Sequence, residues 1–107
     1  MKWYKNLYVG ESIEHKQKKI VWKIKHNAGL LNTYVITFAS NNQNILDIIP
    51  TTNLMQKAYP KKELMIIGIA GDYEEALELT RRIIDDTYTN TGKVDVYNYL
   101  KNLEVTN

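Results

Sequence analysis

Apolar residues fall along the chain in short blocks. They are separated by punctuation at Gly10, Asn27-Ala28-Gly29, Asn41-Asn42, Pro50, Pro60, Gly71 and Gly92. Residues 3–9, Trp-Tyr-Lys-Asn-Leu-Tyr-Val, are short and aromatic-rich, which predicts a strand. Residues 18–25 alternate, with Ile20, Trp22 and Ile24 on one side and Lys19, Val21, Lys23 and Lys25 on the other. That period of two predicts a half-buried strand. A helix over 11–25 is the competing reading, because Ile13, Ile20 and Ile24 also share a helical face. Residues 26–39 favour the strand. His26-Asn27-Ala28-Gly29 is a short turn with Asn and Gly available for positive φ, and Leu31–Ala39 after it is β-branched and aromatic. Two such runs around a short turn predict a hairpin.

Ser40 to Asn44 reads as a polar loop and Ile45 to Ile49 as a strand end. Thr51 or Thr52 is placed to cap a brief helix, with Leu54, Met55 and Ala58 inward, that Pro60 stops. The most apolar run, within Glu63 to Ala70, predicts a central strand covered on both faces. Gly71 turns the chain, and Asp72, with Glu75 at the capping-box position, begins the clearest helix. Ala76, Leu77, Thr80, Ile83, Ile84, Thr87 and Tyr88 recur along it at helical spacing, and Gly92 ends it. Arg81–Asp85 and Arg82–Asp86, four apart, are expected to pair on its outer side. Asp95 caps a last short helix with Val96, Tyr99, Leu100 and Leu103 inward. The expected fold is α+β: a mainly antiparallel sheet of about four strands, with a long helix (about 72–90) and a short C-terminal helix packed on one face.

The chain of 107 residues is one ordinary domain, expected to span 1–107, and long enough to bury roughly two-thirds of its unfolded surface. With 44% hydrophobic and 24% charged residues it falls among globular chains, so disorder is excluded. The absence of cysteine excludes disulfides, thiolate metal sites and cysteine nucleophiles. No apolar run reaches signal-peptide or membrane-helix length, so a soluble, cytoplasmic protein without membrane contact is expected. Net charge is only +2 but unevenly laid out: residues 1–62 hold ten Lys against three acids, and residues 63–107 hold four basic residues against nine acids. Such asymmetry marks either an anionic partner or two halves that face and neutralise each other, and the second reading is preferred.

Three stretches carry candidate chemistry. The turn Gly68-Ile-Ala-Gly71-Asp72 runs from a buried strand into a helix N-terminus, where phosphates bind. Its spacing matches neither dinucleotide nor P-loop fingerprints, and Asp72, Glu74 and Glu75 would repel an anion, so a capped structural turn is expected. Glu74, Glu75 and Glu78 lack a second ligand group for a cation, and His15 and His26 lack metal spacing, so neither a metal nor a cofactor is expected. The segment His15, Lys16, Lys18, Lys19, Lys23, Lys25 and His26, with Trp22 and Tyr34 nearby, has the residue types that hold single-stranded nucleic acid. On a strand, however, Trp22 faces the core and the lysines face water, so a solvated lysine face that blocks edge pairing is preferred.

The residues 18–29, with Tyr34-Val35-Ile36, Ile67-Gly68-Ile69-Ala70 and Tyr73-Glu74-Glu75-Ala76-Leu77-Glu78-Leu79, resemble an uncharacterised family of proteins of about this length from anaerobic, clostridial-type Gram-positive bacteria. The resemblance covers nearly the whole chain and implies a free-standing domain. It carries no activity, cofactor or functional residue. The leading expectation is a small non-enzymatic binding or protein-interaction domain, engaging a protein partner or a second copy of itself. Its surface is expected near Trp3, Tyr4, Tyr8, Lys19, Lys23 and Lys25. The alternatives are nucleic-acid binding through segment 15–26, and a small-molecule or enzymatic site at the Gly68–Asp72 turn.

Overall fold

The computed structural model describes residues 1–28, 32–39, 45–60 and 62–106, with side chains described as far as Leu103. Four strands, β1 (Lys2–Val9), β2 (Tyr34–Phe38), β3 (Leu46–Pro50) and β4 (Met65–Ala70), form one sheet in the order β1-β4-β2-β3. The sheet is mixed. β2 runs antiparallel to both β3 and β4, whereas β1 runs parallel to β4. The run expected at the centre does lie there: Ile66, Ile67 and Ile69 of β4 are fully buried between the two helical layers.

The stretch 18–25 is a helix. A six-residue 3-10 turn (Glu11–Lys16) leads into α1 (Gln17–Lys25), which buries Ile20 and Ile24, while Ile13 is buried from the 3-10 turn. The alternation of Ile20, Trp22 and Ile24 is incidental. Ile20 and Ile24 are four apart and share a helical face, and the residue midway between them points the other way. Among the described residues there is no hairpin across 18–39; α1 instead carries the chain over β4 between β1 and β2. The expected positive φ is found at Asn27 (54°), while Gly29 and the loop 40–44 lie outside the described residues.

The helices therefore cover both faces of the sheet, not one. On the first face lie the 3-10 turn, α1 and the short α2 (Thr51–Leu54), around Ile13, Ile20, Ile24, Val35, Ile49, Leu54, Ile66 and Ile69. On the second lie α3 (Tyr73–Thr91) and α4 (Val96–Thr106), around Tyr4, Ile36, Ile67, Ala76, Leu79, Ile83, Val96 and Leu100. α3 and α4 do share one face, as expected.

Some local readings change. Thr51 lies inside α2 and donates its hydroxyl to the Thr33 carbonyl at 3.0 Å, and of the three residues expected inward only Leu54 is buried; Met55 and Ala58 are exposed. In α3 the buried set is Ala76, Leu79, Ile83 and Thr87, with Leu77 and Tyr88 in solvent. Asp72 caps α3, accepting from the Glu75 N–H at 2.7 Å, and Gly92 ends it with φ 73°. Asp95 accepts from the Asn98 N–H at 3.2 Å at the start of α4.

Candidate functional site

α1 gathers the basic residues of the first half. Its apolar side is committed to the sheet through Ile20 and Ile24, so its other side must face water. There Trp22 is 57% exposed, among the exposed Lys18, Lys19 and Lys25, with His15, Lys16 and His26 at the two ends. The His26 ring lies on the indole, centroids 4.2 Å apart and planes within 18°, and its Nδ1 is 2.8 Å from the Trp22 carbonyl oxygen. One face of the indole is thus covered by an imidazole tied to the backbone, and the ring is held out among ammonium groups. Indole and lysines share a face, which is the arrangement that a strand would forbid.

No acid occurs in the sequence between Glu14 and Asp47, and among the described residues no ion pair engages the α1 lysines. The acids gather on α3, which carries Glu74, Glu75, Glu78, Asp85 and Asp86 against two arginines, Arg81 and Arg82. Lys2 of the first half lies 4.0 Å from Glu63 of the second, but the sheet separates the α1 lysines from the α3 acids, so these two sets do not face each other and leave a field across the molecule.

The residues expected to form one surface are divided. Tyr4 is 4% exposed, in the core beneath α3 and α4. Trp3 is half-buried on the α1 side, with the Lys25 ammonium 5.6 Å from its ring centre. Tyr8 lies on the α3 side, donating to Asp86 Oδ2 at 3.1 Å beneath the Arg82 guanidinium. Burial first, then the charge and hydrogen bond of Asp86, pushes the Tyr8 phenol well above its ordinary range, so it stays neutral. Asp86 is therefore taken up by Tyr8, and Arg81 lies 3.4 Å from Glu78, three residues away, in place of the pairs expected four apart. Lys19 and Lys25 are exposed on α1 and Lys23 is half-buried.

The Gly68–Asp72 turn is occupied from within. Glu75 Oε1 accepts from the Gly71 N–H at 2.7 Å and the Ser12 hydroxyl at 2.8 Å, and Oε2 accepts from the Ser12 N–H at 3.0 Å. Burial alone would raise the Glu75 carboxyl, but these donors hold it below the usual carboxylate range. Gly10 and Gly71 make room for it: a methyl group on Gly10 would overlap the carboxylate, and one on Gly71 would lie 2.5 Å from Ser12 Oγ. The carboxylate takes the place of an incoming anion. Beside it a groove of ≈ 580 Å³ lies open, lined by Gly10, Glu11, Glu75, Glu78, Arg81 and Arg82 among others, with its acids and arginines intermixed. Among the described residues no group of three metal-ligating side chains converges. No helix there is long and apolar enough to cross a membrane.

No protein-family model, curated protein or solved structure matches this chain.

Read as a strand residue, Trp22 goes to the core; on the helix it goes to solvent. The signal that exposes it is the 3.6-residue period of Ile20 and Ile24, which turns position 22 roughly opposite them.

Proposed function

We propose that this protein is a binding module for a flexible polyanion, single-stranded nucleic acid, held on the outer face of α1. The observation that carries the reading is the exposed Trp22 ring, stacked on one side by His26 and set among lysines that form no ion pair among the described residues. Its free face suits an unstacked base, and the ammonium groups suit the phosphates on either side. An unpaired strand fits better than a duplex, because a ring projecting from a helix needs a base that is not already stacked within a double helix. A membrane surface fits poorly, since the apolar side of α1 is spent on the sheet and only its polar side is offered. The opposite placement of the α3 acids orients an approaching polyanion toward α1.

Fluorescence anisotropy with a labelled single-stranded oligonucleotide tests this. Binding is expected at low salt and weakens as salt rises, with a logarithmic slope of about −3 if roughly four lysines each neutralise a phosphate. Trp22→Ala is expected to weaken it about tenfold, within the range for one lost base stack. Absence of binding at about 20 mM salt, or a Trp22→Ala variant that binds as tightly as the parent, overturns the reading.

A further inference from the structure

A second unpartnered surface lies on α3, on the far side of the sheet. Along the flank toward β2 run Tyr73, Leu77, Thr80, Ile84 and Tyr88; Tyr73 meets the Tyr34 ring edge-on at 5.6 Å. The two tyrosines are 51% and 60% exposed and Leu77 is 45% exposed. The opposite flank is already engaged, through Asp86 and Arg82 on Tyr8.

The large side chains of the stripe lie evenly about the Thr80–Arg81 step: Tyr73 and Tyr88 are equally far from it on either side, and so are Leu77 and Ile84. A two-fold axis at the Thr80–Arg81 step therefore lays Tyr73 against Tyr88 of a second copy and Leu77 against Ile84, each contact made twice. A partner of unrelated sequence would need no such symmetry. Arg81, beside the axis, lies 3.4 Å from Glu78 of its own helix, which offsets its charge there.

We infer that α3 is the contact between two copies of this chain, associating antiparallel through this stripe. At about 200 Å² for a whole aromatic side chain, the three exposed side chains offer about 300 Å² per copy, or about 600 Å² in all. That falls below the roughly 1,200 Å² of a stable complex, so the dimer is weak and reversible. Glu74 and Asp85 border the stripe on its solvent side and bring like charges together across the axis. Added salt therefore tightens the dimer. The inference does not depend on the polyanion reading.

Sedimentation of the intact protein from about 10 μM to about 1 mM decides it, the range where so small an interface is half-associated. The expected result is a mass rising toward twice that of the chain. Leu77→Glu is expected to raise the dissociation constant at least about tenfold, one such burial lost from each copy. Tyr88→Glu repeats the test should Leu77→Glu fold poorly, and Trp22→Ala on the other face leaves association unchanged. A monomer at about 1 mM overturns the inference and leaves the stripe to a different protein. So does a dimer that both glutamate variants leave intact.

Discussion

At the scale of single residues, Glu75 ties together parts of the chain that are far apart in sequence. Its carboxylate is held by Gly71 before α3 and by both donors of Ser12, 63 residues away. Glu75→Gln keeps the shape but loses the charge; with the site partly in water, the cost is about 1 kcal/mol. The pH dependence has a definite sign. Its native carboxyl titrates below the ordinary value of 4.5, so the stability it contributes is fully present above that value and is lost as pH falls through the native range. Urea unfolding at pH 6 and pH 3 is therefore expected to show a smaller loss on acidification in Glu75→Gln than in the parent, and equal losses would remove the clasp from the account. The sequence reveals half of this. Asp72 and Glu75 have capping-box spacing, whereas Ser12 and Gly10 carry no local sign that they serve a turn beyond residue 70, because that contact exists only once β1 has paired with β4.

The decisive element is α1, and the strand-like look of its sequence has a physical cause. Ile20, Trp22 and Ile24 satisfy a period of two, while Ile20 and Ile24 alone satisfy the helical period, so eight residues cannot separate the cases. The Asn27 turn and the β-branched run after it weigh toward a hairpin, but that turn serves a helix as readily as a strand. β4, α3 and α4 are legible, because a continuous apolar run, a capping box and a left-handed Gly92 each have one reading. The two assignments of 18–25 predict different mutational patterns. On a half-buried strand, Ile20, Trp22 and Ile24 would all be costly to truncate. On α1, Ile20→Ala and Ile24→Ala are each expected to cost about 2–4 kcal/mol, and Trp22→Ala less than about 1 kcal/mol. Denaturant melts of the three variants measure this directly, and a Trp22→Ala loss equal to the other two would return the indole to the core.

At the scale of the whole molecule, the pairing of β1 with β4 and the two-sided covering of the sheet decide where charge goes. Neither is written locally. β1 and β4 are more than fifty residues apart, and which face a crossover takes depends on the sheet already formed. Once α1 crosses on one side and α3 on the other, the α1 lysines and the α3 acids lie on opposite faces. Salt then acts on the two surfaces with opposite signs. A polyanion on α1 exchanges for counterions and is released as salt rises. Self-association through α3 presses acidic rims together, and salt relieves that repulsion while leaving the apolar contact in place. Raising sodium chloride from about 50 to about 500 mM is expected to weaken oligonucleotide binding by about a thousandfold on a slope near −3, while the sedimentation mass at fixed protein concentration rises. Were both to weaken together, the association would be an electrostatic contact of α1 with the acidic face of a second copy, and α3 would lose its role as the interface.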